Sequence, residues 1–323
     1  MPSQIIGTGI ALPKRAVTNE ELSGRLGLSE KKIEKMTGIQ SRHWVEAGET
    51  TSSLAVEAAR KALQSADLLP DAIDLILVST TSPDMSFPST ACLVQRALAT
   101  RPIPALDLNA SCSGFLYALS VGDQFIRNGT AKRVLIIAAE VKSPSINPGD
   151  PSTAILFGDG AAAVVLAEGK RGIQSIRLYA DGSRHRMISL PAGGSRYPTT
   201  SETLSGGLHY IRMEGKGLFR MAVKRMQEAL FSLAKEANLS LSEIDFFIFH
   251  QANLRILETV FEKTGIPHDK SVVTIPRYGN TSSSSLPIAL DEAIRTGKLK
   301  PGNRVILCAF GGGLTWGTAL IEW

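Results

Sequence analysis

The sequence predicts an α/β protein that is built from two similar halves, and two observations indicate this fold class. Apolar, strand-like runs alternate with helical patterns along the 323 residues. Continuous apolar strands between helices are typical of sheets that are buried on both faces. In addition, segments of the first half recur in the second half, which indicates an internal duplication. The composition, 43% hydrophobic and 20% charged residues, is that of a globular α/β protein.

The predicted elements follow one another in a regular order. The chain enters its first strand in IIGTGI (5–10). The helical pattern LAVEAARKALQSA begins after Thr51, Ser52 and Ser53, and each of these is a candidate N-cap. Helices separate most of the later strands. The remaining strand-like runs are IDLILVST (73–80), PALDLNA (104–110), RVLIIAAEV (133–141), AAAVVLAEG (161–169), IDFFIFH (244–250), SVVTI (271–275), RVILCAF (304–310) and TALIEW (318–323).

The duplication places polar residues at corresponding points of the two halves. Aligning Asp74 with Asp245 puts His250 opposite the small serine that ends the equivalent strand. Aligning the helix ends FIRNG and AIRTG, without a gap, puts Cys112 opposite Asn280. Chance similarity between two α/β units is the alternative, but the symmetric placement of polar residues favours duplication. We therefore expect Cys112 and Asn280 to meet near a pseudo-twofold axis.

Bulk properties exclude several classes of protein. We place the two halves at residues 1–170 and 171–323. No apolar run approaches the roughly 18–20 residues of a membrane span, and no signal-peptide pattern is present, so we expect a cytoplasmic protein. The net charge of +5 is mild, and without an aromatic-basic stripe nucleic-acid binding is not indicated. The three cysteines have no metal-ligand spacing and form no disulfide framework.

Cys112 is a candidate nucleophile. It lies in NASCSGF, between a short strand and a helix whose apolar residues recur at helical spacing. The unpaired N–H groups and the positive dipole end of a helix N-terminus favour a thiolate there. The small neighbouring serines and Gly114 leave room for a substrate. The alternative is a small core residue, which the apolar surroundings of Cys92 and Cys308 predict for those two cysteines.

Three further segments carry candidate site residues. His250 ends the apolar run IDFFIFH, and open α/β sheets place their ligand sites at the carboxyl ends of strands. Asn280 lies in RYGNTSSSS, just before a helix. The segment AFGGGLTWG contains three glycines, which allow backbone amides to approach an oxyanion closely. A structural histidine, an N-cap and an ordinary glycine turn are the respective alternatives.

Taken together, these motifs resemble those of the β-ketoacyl-acyl-carrier-protein synthase III family of initiating condensing enzymes. The resemblance covers nearly the whole chain. It implies a thiolase-like, five-layered αβαβα fold made of the two duplicated halves, and it implies a homodimer. The matching segments are IIGTGIALP, TGIQSRH, FPSTAC, NASCSGF, FGDGAAAVVL, HQANLRI, GNTSSSS and AFGGGLTWG.

The resemblance also implies a mechanism and assigns its residues. Cys112 takes up the starter acyl group as a thioester. His250 and Asn280 donate hydrogen bonds to the enolate that forms when malonyl-acyl-carrier protein loses carbon dioxide. The backbone amides of Cys112 and Gly312 form an oxyanion hole. The starter is an acyl-coenzyme A or an acyl-carrier protein, no metal or other cofactor is needed, and the product initiates a fatty acid or a related polyketide.

Basic residues and one aromatic residue are assigned to partner contacts by the same resemblance. Acyl carrier protein is strongly acidic, so its docking face is expected to be basic. The docking helix corresponds to MEGKGLFRMAVKRM, which offers Arg220, Lys224 and Arg225, and HQANLRI adds Arg255. Ordinary solvated charges are the alternative for each. Phe87 of the FPS motif corresponds to a residue that bounds the partner subunit's acyl pocket across a twofold interface.

The chain departs from the family where relatives that use acetyl-coenzyme A hold the adenine. The corresponding positions are Lys32, Met36 and Pro151, and Lys216 replaces an asparagine on the pantetheine arm. None of these supplies an aromatic face or a guanidinium fork. We therefore expect a carrier-bound donor, or a coenzyme A thioester held in a different pose. The alternative is that other residues rebuild the adenine site.

Other functions on the same fold remain open. The nearest is an acyltransferase of secondary metabolism that moves the acyl group to an acceptor other than malonyl. A degradative thiolase is disfavoured because AFGGGL lacks a second cysteine, and the intact Cys, His and Asn disfavour a non-catalytic scaffold. The loop 181–215 is expected to wall the acyl tunnel, but its sequence does not specify the starter chain.

Overall fold

The computed structural model describes residues 2–323. Within this range, two larger sheets and two short strand pairs are present. The strands are β1 (Ser3–Ala11), β2 (Arg15–Thr18), β3 (Ser41–Trp44), β4 (Leu75–Ser79), β5 (Ala105–Leu108), β6 (Arg133–Glu140), β7 (Gly160–Glu168), β8 (Gly172–Ala180), β9 (Ile188–Ser189), β10 (Arg212–Met213), β11 (Phe246–Phe249), β12 (Arg304–Gly311) and β13 (Thr315–Glu322). The helices are α1 (Asn19–Leu26), α2 (Glu30–Thr37), α3 (Thr51–Ser65), α4 (Thr90–Leu98), α5 (Gly114–Arg127), α6 (Pro151–Ala154), α7 (Ser201–Ser205), α8 (Gly215–Glu236), α9 (Leu254–Thr264), α10 (Ile275–Tyr278) and α11 (Ser285–Arg295).

The two larger sheets share one plan. The first has the order β1-β7-β6-β4-β5 and the second the order β11-β12-β13-β8. In the first sheet, β4 lies parallel to both β5 and β6, and β7 is antiparallel to β6. The second sheet repeats this arrangement with the parallel pair β11 and β12 and the antiparallel strand β13. Every residue of β4 and of β11 is buried, as strands between two layers of helices require.

The layers follow from the hydrophobic clusters. Side chains of α5 and α11, such as Phe115 and Leu286, pack in one cluster with the inner faces of both sheets. The outer face of the first sheet packs against α3 and α4, and the outer face of the second packs against α8 and α9. The fold is therefore the predicted five-layered αβαβα arrangement, with α5 and α11 in the middle layer.

The predicted duplication is visible in equivalent hydrogen bonds. The backbone N–H of Asp74 donates to the carbonyl of Arg133 at 2.9 Å, and that of Asp245 donates to the carbonyl of Arg304 at 3.0 Å. Each aspartate carboxylate also accepts from the amide of the same arginine, at 3.0 Å and 2.7 Å respectively. Asp74 and Asp245 therefore occupy equivalent positions in the two halves, as the sequence alignment predicted.

The predicted pairing of Cys112 with Asn280 is wrong by three residues. Helix α5 has 14 residues and α11 has 11, so superposing their ends misplaces their starts. Each helix follows a single 3₁₀ turn, Ser111–Ser113 or Ser282–Ser284. Ser111 and Ser282 both have a left-handed φ, 50° and 54°. The structure therefore makes Cys112 equivalent to the serine at position 283, and Asn280 lies just outside the turn.

Two predicted local features also differ from the structure. The run SVVTI does not form a strand: Ser271 makes one isolated bridge to Phe247, and α10 begins at Ile275. The N-cap of α3 is Thr50, which accepts from the Ser53 amide at 3.2 Å, whereas the three candidates that follow lie inside the helix. A β-branched run predicts a strand. Here the chain leaves the second sheet after Ser271 and continues into α10.

Two bulk predictions concern the chain as a whole. The chain crosses from the first sheet to the second between Glu168 and Gly172. The division into residues 1–170 and 171–323 stays a prediction, because α5 and α11 of the two halves share one core. Among residues 2–323, no helix combines the length and the apolar character that crossing a membrane requires.

Candidate active site

Cys112 lies in the 3₁₀ turn directly before α5, against the glycine segment 311–313 at the end of β12. The left-handed φ of Ser111 turns the chain at this point, a conformation that costs a non-glycine residue free energy. A Cβ atom added to Gly311 would lie 2.7 Å from the backbone nitrogen of Cys112. Only glycine therefore allows the two segments to approach this closely.

The Cys112 side chain is buried, 6% exposed. Its Sγ lies 3.4 Å from the Ser282 hydroxyl, which itself donates to Glu140 at 3.0 Å, so the thiol is the donor to Ser282. Burial raises the pKa of the Cys112 thiol, the nearby charge of Glu140 acts in the same direction, and the opposing charge of Lys142 does not overcome them. The raised pKa opposes the thiolate that the helix N-terminus was expected to favour, and it indicates a protonated thiol at neutral pH.

A buried ion pair lies beside the cysteine. Glu140 ends β6 and is fully buried, and its Oε2 lies 2.9 Å from Nζ of Lys142. Its Oε1 accepts from the hydroxyls of Ser282 and Ser283 at 3.0 Å and 2.9 Å. Burial alone would raise the pKa of Glu140, but Lys142, the Ser82 hydroxyl and the Thr81 backbone amide hold it below its usual range. Glu140 is therefore a carboxylate, and its negative charge balances the neighbouring Lys142 ammonium.

His250 follows β11 directly and is 3% exposed. Its Nδ1 lies 2.5 Å from the hydroxyl of Ser285, which also accepts from the Gln251 amide at 3.1 Å. Among residues 2–323 this hydroxyl has no other acceptor, so its proton points at Nδ1 and the histidine carries its own proton on Nε2. Burial lowers the pKa of His250 to about 4. A neutral His250 with a donor at Nε2 results.

Asn280 is held by the backbone on both sides. Its amide donates to the Leu156 carbonyl at 2.9 Å, and its carbonyl accepts from Gly158 at 3.0 Å. The side-chain Oδ1 accepts from the Ser282 amide at 2.9 Å. With Oδ1 occupied, the side-chain nitrogen is the group left to donate to a ligand. Asn280 is thus oriented as a donor.

Two cavities meet at Cys112. The first, about 800 Å³, is lined by Cys112, His250 and Asn280, and we call it the catalytic cavity. The second, about 790 Å³, is lined by Cys112 and Ser282 but not by the histidine or the asparagine, and we call it the second cavity. The structure therefore brings the three predicted catalytic side chains to one space and leaves another space open at the sulfur.

One of the two amides of the predicted oxyanion hole already has a hydrogen-bond acceptor. The backbone N–H of Gly312 donates to the hydroxyl of Ser111 at 3.2 Å. An oxyanion bound by Gly312 and Cys112 would have to take the place of that hydroxyl as the acceptor. The assignment of this hole to Gly312 and Cys112 stays a prediction.

The predicted docking residues differ in their surroundings. Arg220 and Arg255 are exposed and line the catalytic cavity, and Arg255 lies 5.9 Å from the ring of Phe219. Arg225 instead stacks on Trp316 at 4.9 Å, and its guanidinium binds Glu228 at 2.9 Å. Lys224 is exposed, 3.9 Å from that same glutamate. Arg220 and Arg255 are therefore better placed to meet a partner than Arg225.

Phe87 and the other cysteines complete the set of predicted residues. Phe87 is 84% exposed and does not line either cavity of its own subunit. Cys308 is buried as expected, but Cys92 is exposed, which corrects its assignment to the core. It lies near the start of α4, on the helix face that points away from the sheet. The apolar pattern around Cys92 predicts a buried helix, but only one face of α4 is buried.

Sequence reasoning missed four residues that hold the site together. Glu140 and Lys142 follow an apolar run, and two charges at the end of a buried strand were a signal of a buried pair. Ser282 and Ser285 lie three apart in the run SSSS, so one helical turn brings them to one face. The partners of these four residues, Cys112 among them, come from distant parts of the chain. The spacing of residues along the sequence does not predict such pairs.

Comparison with known proteins gives a consistent result. The family described as 3-oxoacyl-[acyl-carrier-protein (ACP)] synthase III matches residues 106–182, and its C-terminal family matches residues 234–323. The chain is 46% identical to beta-ketoacyl-[acyl-carrier-protein] synthase III 3 of Streptomyces coelicolor, over 99% of this chain and 97% of that protein.

Solved structures agree with the fold. The 3-oxoacyl-[acyl-carrier-protein] synthase III of Aquifex aeolicus superposes with a TM-score of 0.92 at 42% identity, covering 99% of this chain and all of that one. The priming beta-ketosynthase of the R1128 polyketide biosynthetic pathway gives 0.91 at 32% identity, covering 99% of this chain and 96% of that one.

With a buried cysteine facing a neutral histidine in one cavity, these likenesses define the class of protein. It is a thiolase-fold condensing enzyme, an acyltransferase that acts on thioesters. Within that class, the chain belongs to the β-ketoacyl-[acyl-carrier-protein] synthase III family.

Proposed function

We propose that this chain condenses a starter acyl thioester with malonyl-acyl-carrier protein through an acyl-Cys112 intermediate, and so initiates a fatty acid or a related polyketide. The observation that carries the proposal is the catalytic cavity itself. There the thiol of Cys112 shares one space with two oriented hydrogen-bond donors, His250 and Asn280. A nucleophile and two fixed donors suit a reaction that passes through an enolate.

In the first half-reaction, the Cys112 thiol loses its proton and its sulfur attacks the carbonyl of the acyl donor. The tetrahedral intermediate collapses, the donor's thiol leaves with a proton, and the acyl group remains on Cys112 as a thioester. Backbone amides of Cys112 and Gly312 are the proposed partners of the transient oxyanion. Small side chains around the sulfur leave the attacking path open.

In the second half-reaction, the malonyl thioester enters the catalytic cavity. Its carboxylate leaves as carbon dioxide, and the electron pair passes into an enolate whose oxygen accepts from Nε2–H of His250 and from the Asn280 amide. The α-carbon then attacks the acyl-Cys112 carbonyl, and the Cys112 sulfur leaves as the new 3-oxoacyl thioester forms. The scheme requires no electron transfer and no metal ion, so we propose that no cofactor takes part.

The mouth of the catalytic cavity supports the proposed partner. Lys216, Arg220 and Arg255 line this cavity from α8 and α9. An acidic carrier protein would be attracted to these cations, and its pantetheine arm would reach Cys112 through the cavity. Lys224 lies on the same helix, while Arg225 is engaged with its own neighbours.

We further propose a C2 homodimer. Phe87 and Met85 are 84% and 46% exposed, and large apolar side chains so exposed are a feature of protein interfaces. Phe87 would then reach toward the partner's second cavity. The cytoplasmic location expected from the sequence stays a prediction.

The acyl donor proposed for this chain is carrier-bound, or a coenzyme A thioester in a different pose. Met36 and Lys216 line the catalytic cavity and offer neither an aromatic face nor a guanidinium fork. Lys32 and Pro151, the other two divergent positions, do not line it. Acylation rates of Cys112 from acetyl-coenzyme A and from acetyl-carrier protein, at equal concentration, distinguish the donors.

A single experiment tests the function. Purified protein is incubated with acyl thioester and malonyl-carrier protein, and mass spectrometry follows acyl-Cys112 and the 3-oxoacyl product. Cys112→Ala should abolish both, by several orders of magnitude, whereas the matched control Cys92→Ala, at an exposed site, should abolish neither. Near-normal condensation by Cys112→Ala would sink the proposal. An acyl-enzyme without malonyl decarboxylation would favour the acyltransferase with a non-malonyl acceptor.

A further inference from the structure

The second cavity is the place where a starter chain would lie. Under the proposed function, the malonyl group occupies the catalytic cavity, because His250 and Asn280 line only that space. An acyl chain on the Cys112 sulfur must therefore extend into the second cavity. This assignment of the second cavity rests on the proposed function.

The wall of the second cavity is not uniformly apolar. Ile188 of β9 and Ile211, which precedes β10, supply hydrocarbon surface, and charged side chains also line the wall, Lys142 among them. A pocket that is built for a plain alkyl chain needs no hydrogen-bonding groups in its wall. Here several are present. The polar residues of the wall include Thr81, Ser82, Asn109, Lys142 and Ser145.

Among these groups, the charged Lys142 would cost the most free energy if it were buried without hydrogen-bond partners. The residue is 8% exposed. Its ammonium lies 2.9 Å from Glu140 and donates to the hydroxyl of Thr81. An ammonium group has three N–H donors, and among residues 2–323 these contacts account for two. A hydrocarbon chain would exclude water from the third without replacing its hydrogen bond, which is unfavourable.

The charge balance indicates what kind of acceptor fits. Glu140 already neutralises Lys142, and its carboxylate accepts from Ser82 at 2.8 Å as well as from Ser282 and Ser283. A second carboxylate would therefore add an unbalanced negative charge to a buried site. A neutral oxygen would accept the remaining N–H without this cost.

We propose that the second cavity selects a short starter acyl chain that carries a neutral hydroxyl or keto oxygen, which accepts a hydrogen bond from Lys142. The oxygen replaces the water that the chain excludes, so the bound starter satisfies the ammonium. Lys142 is then a specificity-determining residue for the starter.

The test compares three starters on one small thiol. Butyryl, 3-hydroxybutyryl and succinyl thioesters of N-acetylcysteamine lack a carrier and a nucleotide, so docking does not affect the comparison. The rate of acyl-Cys112 formation is measured for each by mass spectrometry. The 3-hydroxybutyryl thioester is expected to react about tenfold faster than butyryl, because a hydrogen bond to a charged donor is stronger than one between neutral groups. Succinyl is expected to be the slowest.

The variant removes both charges together, because Lys142→Met alone would leave Glu140 buried and unpaired. In Lys142→Met/Glu140→Gln, the ratio of the 3-hydroxybutyryl rate to the butyryl rate should fall to about one. A wild-type ratio at or below one, a faster succinyl reaction, or an unchanged ratio in the double variant would each overturn the starter assignment while leaving the proposed function standing. If no thioester acylates Cys112, the proposed function fails first, and the starter assignment fails with it.

Discussion

At Cys112, two opposing effects set the protonation state of the thiol. Burial disfavours the thiolate, and this effect outweighs the attraction of the nearby Lys142 ammonium for a negative sulfur. The neighbouring helix start contributes amides, but the cysteine lies in the 3₁₀ turn ahead of the helix rather than in its first turn. The proposed nucleophile is therefore a protonated thiol, and it has to lose its proton before it attacks.

The raised pKa of Cys112 predicts that the rate of acylation depends on pH. Because the pKa of Cys112 is raised, the thiolate fraction increases about tenfold for each pH unit below that pKa. The rate of acyl-Cys112 formation should therefore rise steadily from pH 6 to pH 9 without reaching a plateau. Stopped-flow or quenched mass spectrometry on the wild type measures it, and a plateau below pH 7.5 would contradict a raised pKa.

Decarboxylation should respond to pH differently. His250, whose pKa burial lowers to about 4, is neutral at and above pH 5.5 and gains a proton only below that range. Malonyl decarboxylation should thus be flat between pH 5.5 and pH 8 and fall only as pH approaches 4. Release of carbon dioxide from malonyl-carrier protein is the readout. A fall beginning near pH 6.5 would show that His250 has an ordinary pKa.

Ser285 fixes the tautomer of His250 and so acts as a positioning residue. Ser285→Ala removes the donor to Nδ1 and should lower kcat for decarboxylation about tenfold, the value of one buried hydrogen bond, with little change in KM. Ser284→Ala is the matched control, because that hydroxyl donates to the Thr281 carbonyl at 2.8 Å instead. Equal losses in the two variants would mean that the loss is structural.

At the scale of elements, α8 and α9 combine a buried face with a basic one. On α8, Val223 and Met226 pack against the second sheet, while Arg220 and Lys224 remain exposed. On α9, Arg255 lies in the first turn and lines the catalytic cavity. The same two helices thus close the core and present charge to a partner.

The docking prediction belongs to these helices. Arg220→Ala and Arg255→Ala should each raise KM for malonyl-carrier protein several-fold, more at low salt than at high salt, with kcat less affected. Lys235→Ala is the matched control, since Lys235 is exposed on α8 but lies about 22 Å farther along the helix. If Lys235→Ala weakened the carrier as much as Arg220→Ala, the docking surface would lie elsewhere.

At the scale of the whole molecule, duplication explains where the site lies. Two similar halves bring the starts of α5 and α11 together between the sheets, and each start follows a serine with a left-handed φ. The site therefore takes Cys112 from one half and Asn280 from the other. Neither half contains the catalytic cavity by itself.

The proposed dimer is a whole-molecule property, and Phe87 tests it. The wild type should sediment as a dimer at micromolar concentration, and Phe87→Ala should change the preference for acyl-chain length. Phe231→Ala, at an apolar side chain that is 46% exposed on α8, controls for loss of surface hydrophobicity. A monomeric wild type, or an unchanged chain-length profile in Phe87→Ala, would contradict the prediction.

The sequence by itself indicated the alternation of strands and helices, the duplication and the three candidate catalytic residues; the five layers came from the resemblance to a known family. Apolar runs and helical spacing are local properties, so they predicted β4, β11 and the helix after Cys112. Cys112, His250 and Asn280 could be named because each lies in a recognisable motif next to the end of a predicted strand or the start of a predicted helix. Local patterns did not show that α11 is three residues shorter than α5, which displaced the predicted pairing.

Only the tertiary structure decided how the reactive residues are controlled. The thiol state of Cys112, the tautomer of His250 and the Glu140–Lys142 pair all depend on burial and on partners far away in the chain; Ser282, for example, lies 170 residues from Cys112. Desolvation and hydrogen-bond geometry act through space, and they have no signature in the spacing of residues along the chain. For that reason the sequence predicts Cys112 as the nucleophile, whereas its protonation and the polar wall of the second cavity follow from the fold.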